Sequence, residues 1–130
     1  VLRRVENKVK KILIVDDQRD ICRLLEVILA QSGRVFSQAQ SGEEGVALAL
    51  AESPDLILMD LMMPGKLDGF EAIRTIRANP QIRQCPIVAM TARMLDASDE
   101  ERAFAEGAQA YVRKPFMIKD LQELITRLLP

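Results

Sequence analysis

Residues 54 to 69, Pro-Asp-Leu-Ile-Leu-Met-Asp-Leu-Met-Met-Pro-Gly-Lys-Leu-Asp-Gly, constrain the fold more than any other stretch. Leu56, Ile57, Leu58 and Met59 form a short unbroken apolar run, with Pro54 before it and Pro64-Gly65 after it. Such a run predicts a strand buried on both faces, the kind found in the middle of a parallel sheet. The run stops at Asp60. A carboxylate is therefore set where a central strand leaves the core, and its burial costs free energy unless a partner stands beside it.

The rest of the chain repeats a strand-helix alternation around this stretch. Lys11-Ile12-Leu13-Ile14-Val15 predicts strand one, ending at Asp16-Asp17. Ile21, Leu24, Leu25, Ile28 and Leu29 share one stripe of a first helix, which Gly33 closes as a C-terminal cap. Arg34 to Gln38 is more polar and predicts an edge strand. Ser41-Gly42-Glu43-Glu44 reads as a capping box opening helix two, with Val46, Ala47 and Leu50 facing in. Helix three starts near Gly69, turns Phe70, Ile73 and Ile76 inward, and ends at Asn79-Pro80. Pro86 to Met90 is strand four, ending at Thr91. Helix four, from Leu95 to Glu106, is the most polar, with a thin stripe of Ala97, Phe104 and Ala105. Gln109 to Val112 is strand five, followed by Arg113-Lys114-Pro115. Leu121, Leu124, Ile125, Leu128 and Leu129 line helix five. Five strands alternating with five helices imply an α/β fold, a doubly wound parallel sheet with helices on two faces.

Composition narrows the function. With 130 residues, 48% of them hydrophobic, the chain is one domain with a core and not a disordered segment. The domain is expected over residues 9–130, behind a tail at residues 1–8; the first eleven residues are locally basic (Arg3, Arg4, Lys8, Lys10 and Lys11 against Glu6), which reads as a solvated stretch. No apolar run approaches the ~20 residues of a membrane span, and no signal-peptide pattern is visible. A net charge of −1 exerts no overall pull on nucleic acid or membrane. The chain has no histidine, so zinc sites and Ser-His or Cys-His nucleophiles are excluded. Cys22 and Cys85 lack metal-ligand spacing and are expected to be buried, reduced thiols of a cytoplasmic protein. The six methionines read as packing residues rather than a soft-metal site, and Asp68 as a helix cap.

Ligands of open parallel sheets bind outside the carboxyl ends of the strands. Strand one ends in Asp16 and Asp17, strand three in Asp60, strand four in Thr91 and strand five in Lys114, whereas strand two ends in uncharged Ala39 and Gln40. Three converging carboxylates repel one another unless neutralised. Lys114 offsets one charge, and a divalent oxygen-seeking cation, Mg²⁺ rather than Ca²⁺, offsets the rest. A carboxylate nucleophile, a magnesium ion, an ammonium and a hydroxyl suit phosphoryl transfer to Asp60.

In these residues the chain resembles the receiver domains of two-component response regulators, the CheY-like superfamily. The matching pieces are Ile-Val-Asp16-Asp17, Leu-Met-Asp60-Leu-Met-Met-Pro64, Asp68-Gly69, Thr91-Ala92 and Lys114-Pro115-Phe116, in order over residues 9 to 130. The resemblance implies the flavodoxin-like strand order 2-1-3-4-5. It implies that Asp60 accepts a phosphoryl group from a histidine kinase or histidine phosphotransfer protein. Asp17, Asp60 and the Met62 backbone carbonyl would ligate Mg²⁺, with Asp16 acting through water and Mn²⁺ as a substitute ion. Thr91 would bind a phosphoryl oxygen and move toward it, Lys114 would pair with the phosphoryl group, and Lys114-Pro115 would be cis. Tyr111 matches the switch aromatic that turns inward when Thr91 moves, changing the face made by helix four, strand five and helix five. The chain would be a signalling phosphoacceptor rather than an enzyme, acting on an output domain or target protein, with a phosphorylation-dependent dimer left open.

Two departures from the family pattern stand out. Three residues, Gly65, Lys66 and Leu67, separate Pro64 from Asp68-Gly69, where two are common. The positions two beyond Asp60 and Thr91, which tune phosphoryl loss in the family, are Met62 and Arg93. Met62 cannot orient an attacking water, so no specially fast self-dephosphorylation is expected. Met62 also stands where aspartyl phosphohydrolases carry a second Asp, and Asp16-Asp17-Gln18 is the opposite of the glycine-rich loop that nucleotide or flavin binders need. The remaining alternative is a receiver-like interaction module that is never phosphorylated.

Overall fold

The computed structural model describes residues 9–91 and 97–130. The apolar runs form β1 (Lys10–Val15), β2 (Arg34–Ala39), β3 (Leu56–Asp60), β4 (Ile87–Thr91) and β5 (Ala110–Arg113). Alternating with them are α1 (Arg19–Leu29), α2 (Gly42–Glu52), α3 (Gly69–Ala78), α4 (Ala97–Glu106) and α5 (Ile118–Leu128). All strand pairs are parallel, in the order β2-β1-β3-β4-β5, the flavodoxin-like arrangement. The tail at residues 1–8, the expected start of helix four at Leu95, and Ala92, Arg93 and Met94 lie outside the described residues.

The period of two along each strand divides the core. Even-numbered residues of the central strands (Ile12, Ile14, Leu56, Leu58, Val88, Met90) face α1 and α5. Odd-numbered ones (Leu13, Val15, Ile57, Met59, Ile87, Ala89) join the core that holds Phe70, Ile73 and Ile76 of α3. β3 and β4 are buried at every residue, their apolar runs together with Asp60 and Thr91 at their ends, as central strands covered on both faces are. Both cysteines are free and buried. No described helix is long and apolar enough to cross a membrane.

Several helix faces differ from the expected ones. On α1, Cys22 is buried and Leu24 is half exposed, and the helix ends at Ala30, leaving Gly33 (φ 84°) in the turn before β2. On α2, the buried face is Gly42, Gly45 and Ala49, while Ala47 and Leu50 are exposed. The cause is close approach: a Cβ on Gly45 would lie 2.9 Å from both methyls of Val15. On α4, only Ala103 is buried, and Ala97, Phe104 and Ala105 face solvent. Polar contacts hold α4 to α3 instead. Arg74 donates twice to Glu106, at 2.7 and 2.9 Å, and Arg102 lies 4.2 Å from the Phe70 ring centre. Met59, Met63 and Met90 are packing residues as expected, but Met62 and Met117 are exposed.

The turn from β3 into α3 positions the site. Asp68 caps α3 with a reciprocal capping box to Glu71. Gly69 follows because nothing larger fits: a Cβ there would stand 2.1 Å from the Asp60 carbonyl oxygen and 2.5 Å from Leu61 Cα. Alanine gains at most ~1 kcal/mol of helix propensity over glycine. The collision is with backbone and cannot be relieved by a rotamer, so it decides the sign. Gly69→Ala is expected to lose about 1–3 kcal/mol net in urea unfolding, and a neutral result would mean that the turn has room to shift.

Candidate functional site

Strand register brings the strand-end residues together. Val15 pairs with Met59, so Asp16 follows at the level of Asp60. Asp60 pairs with Met90, which sets Thr91 one step beyond it. Thr91 pairs with Arg113, so Lys114 comes just after the end of β5. The Lys114 N–H donates to the Thr91 carbonyl at 2.7 Å and ties the two strand ends. Asp16, Asp60 and Lys114 continue the even-numbered positions, on the α1/α5 side. Thr91 and Tyr111 continue the odd-numbered ones, on the side of α4.

Carboxylate oxygens of Asp16, Asp17 and Asp60 all lie within 4.8 Å of one another. Asp16 and Asp60 are buried and Asp17 is exposed, so the cluster opens to solvent on one side. Each Asp16 oxygen has a partner. Oδ2 is 2.6 Å from the Lys114 ammonium, and Oδ1 accepts from the Gln18 N–H at 2.9 Å. Asp60 Oδ1 accepts from the Met62 N–H at 3.2 Å. Burial pushes the Asp60 carboxyl up from 3.8 to about 6. Lys114 and the Met62 N–H pull it down, while Asp16 and Asp17 push it further up. Three carboxylates against one ammonium leave a surplus of negative charge. An all-oxygen donor set with that surplus and an open side fits a hard divalent cation.

Thr91 is fully buried at the end of β4. Tyr111 packs against the core on that side, and its buried hydroxyl has no hydrogen-bond partner among the described residues. Burial also raises its pKa. The Lys114-Pro115 bond is cis. The expected site residues Asp16, Asp17, Asp60, Thr91 and Lys114 thus meet at one edge of the sheet, with Tyr111 two residues before Arg113 on β5. Two contacts were not anticipated. The Gln18 backbone holds Asp16, and Glu43 of α2 accepts from the Leu67 N–H in the loop after β3 at 2.5 Å. Glu43 lay inside the Ser41 to Glu44 capping stretch with no role of its own, and no sequence spacing links it to Leu67.

Known proteins resemble the chain along most of its length. It is 40% identical over 120 residues to the probable transcriptional regulator ycf27 of Cyanophora paradoxa, covering 92% of this chain and 48% of that protein. It is 39% identical over 111 residues to the transcriptional regulatory protein ResD of Bacillus subtilis (strain 168), covering 85% of this chain and 44% of that protein. The chain therefore spans somewhat less than half the length of these relatives. Among solved structures, the receiver domain of the sensor histidine kinase PA1611 from Pseudomonas aeruginosa PAO1 has a magnesium ion coordinated in its active-site cleft. It matches with a TM-score of 0.82 and 34% identity, over 93% of this chain and 98% of that one. The chemotaxis protein CheY4 of Vibrio cholerae matches with a TM-score of 0.83 and 28% identity, over 92% of this chain and 98% of that one. The family model for the response regulator receiver domain matches residues 12–126. With that match and those relatives, the chain belongs to the response regulator receiver domain family, the receiving modules of two-component signalling.

Proposed function

We propose that the domain of residues 9–130 is a phosphorylatable switch whose acceptor is Asp60. The observation that carries this is the cluster of Asp16, Asp17 and Asp60 beside the Lys114 ammonium, at the carboxyl end of the central strands. The donor is a phosphohistidine of a kinase or phosphotransfer protein, and it lies outside these 130 residues, which include no histidine. An Asp60 carboxylate oxygen attacks phosphorus, the phosphorus–nitrogen bond breaks, and its electron pair returns to the donor imidazole. Asp17, Asp60 and the Met62 carbonyl would hold Mg²⁺, or Mn²⁺ in its place, with Asp16 acting through water. The ion, when bound, supplies positive charge against the oxygens of the transferring group.

Lys114 pairs with one phosphoryl oxygen and the Thr91 hydroxyl donates to another. Thr91 moves toward the phosphoryl group, and Tyr111, on the same side of the sheet, turns into the space it leaves. The buried Tyr111 hydroxyl, without a hydrogen-bond partner among the described residues, supports a side chain with a better-satisfied second position. The face of α4, β5 and α5 then changes its contacts. Thin apolar anchoring of α4 keeps the cost of such a change low. The chain acts in the cytoplasm as a signalling phosphoacceptor, not a turnover enzyme, through a target protein or an output domain.

Acetyl phosphate with Mg²⁺ tests the chemistry by intact mass. One phosphoryl group is expected on the wild-type chain, none without Mg²⁺, and none on Asp60→Asn. No gain, with no Mg²⁺ binding, would leave a receiver-like interaction module that is not phosphorylated.

A further inference from the structure

The loop from Leu61 to Asp68 carries Met62 and the extra residue between Pro64 and Asp68-Gly69. Its base is closed by the Gly69 N–H donating to the Leu61 carbonyl at 3.1 Å. Leu61 and Met63 are buried, but Pro64, Gly65 and Lys66 are exposed, and Gly65 has φ 114°. Burial alone therefore fixes only the inner half of the loop. The outer half is held from another element. Leu67 donates its N–H to Glu43 Oε1 at 2.5 Å, across 24 positions of sequence. The surfaces around this bond are cut for it. A Cβ on Gly42 would lie 2.3 Å from the Leu67 carbonyl oxygen, and one on Gly65 would lie 3.3 Å from Glu43 Oε2.

We propose that Glu43 is a positioning residue for the Asp60 site: it latches the loop after β3 onto the first turn of α2 and so keeps the Met62 backbone on the carboxylates. This rests on Asp60 as acceptor and the Met62 carbonyl as metal ligand. A loop with an exposed, glycine-containing tip has many conformers, and freedom at Leu67 reaches Met62, whose N–H lies on Asp60 Oδ1, only through Pro64 and the buried Met63. The hydrogen bond from the Leu67 N–H to the Glu43 side-chain oxygen selects one of them. Glu43 also stands in the first turn of α2, where a negative charge favours the helix dipole. That role needs the charge. The latch needs only an acceptor, and glutamine supplies one without the charge.

The experiment compares wild type, Glu43→Ala and Glu43→Gln in two measurements, amide exchange of Leu67 without metal and Mg²⁺ titration by NMR. In Glu43→Ala, Leu67 exchange is expected to speed up about tenfold and Mg²⁺ affinity to fall about fivefold, with Glu43→Gln close to wild type in both. Loss of Leu67 protection with unchanged Mg²⁺ affinity overturns the proposal, and so does Glu43→Gln weakening Mg²⁺ as much as Glu43→Ala. Wild type that binds no Mg²⁺ removes the reading of the site itself and the latch with it. Glu43 is exposed and Ser41 still caps α2 in both variants, accepting from the Glu44 N–H, so the fold is retained.

Discussion

Replacing Lys114 with methionine is expected to cost the metal-free protein about 3–5 kcal/mol at pH 8. Methionine keeps most of the volume and removes the charge. The Lys114 ammonium is 2.6 Å from Asp16, whose side chain is fully buried, so the change leaves a buried carboxylate without its counter-ion. Breaking one side of a buried pair is far costlier than the pair's net worth, because the remaining charge keeps its desolvation penalty. Two further carboxylates stand within 4.8 Å of it and add repulsion. Lys114 also pulls the Asp60 carboxyl down, so its loss drives that group further toward the protonated form. Two consequences distinguish this from simple loss of packing. Added Mg²⁺ restores part of the lost stability, because it supplies the missing positive charge. Lowering the pH toward 5 narrows the deficit, because Asp60 gives up its charge. Urea unfolding at pH 8 and pH 5, with and without Mg²⁺, reads all of this. A deficit under about 1 kcal/mol that ignores both pH and Mg²⁺ would mean that the ammonium is not the counter-charge of the cluster.

What the sequence made legible, and what it did not, divides along the kind of contact. The strands were legible within a residue at each end because β1, β3 and β4 are apolar on both faces and too short for helices, and a sheet covered on both sides accommodates such runs. The meeting of Asp16, Asp60, Thr91 and Lys114 was legible for the same reason, since parallel strands present their carboxyl ends along one edge. Helix faces were legible where large side chains make the contact, as with Phe70, Ile73 and Ile76 of α3. They were misread on α2, where Gly42 and Gly45 make the contact by having no side chain, and on α4, where Arg74 and Arg102 replace an apolar stripe. Hydrophobic periodicity counts apolar side chains and is blind to both. The direct pairing of Lys114 with Asp16, and of Glu43 with Leu67, depends on three-dimensional reach that no spacing encodes.

Asp60→Asn is expected to make the metal-free protein more stable at pH 8, by up to about 3 kcal/mol, the equivalent of roughly 10 °C in melting temperature. The sign follows from the direction of the Asp60 shift. The carboxyl titrates at about 6 in the folded chain against an ordinary 3.8, so the folded state resists its ionisation. Below pH 3.8 the group is neutral in both states and costs nothing. As the pH rises through 3.8 toward 6 the unfolded chain releases its proton first, and stability is lost across that window. Above 6 the full cost is present. Asparagine is neutral throughout and keeps an oxygen to accept from the Met62 N–H, so the variant avoids this cost. The difference between variant and wild type should therefore vanish near pH 3.5, grow through pH 5 and level off above pH 7. Mg²⁺ should shrink it from the other side, because the ion stabilises a wild type that can ligate it and gains less from the variant. Thermal unfolding followed by circular dichroism across that pH range tests both statements. A pH-independent difference would assign the gain to packing. The expected profile would mean that the chain gives up folding stability at the residue proposed as the phosphoryl acceptor, and that its free carboxylate is poised to be neutralised by a cation.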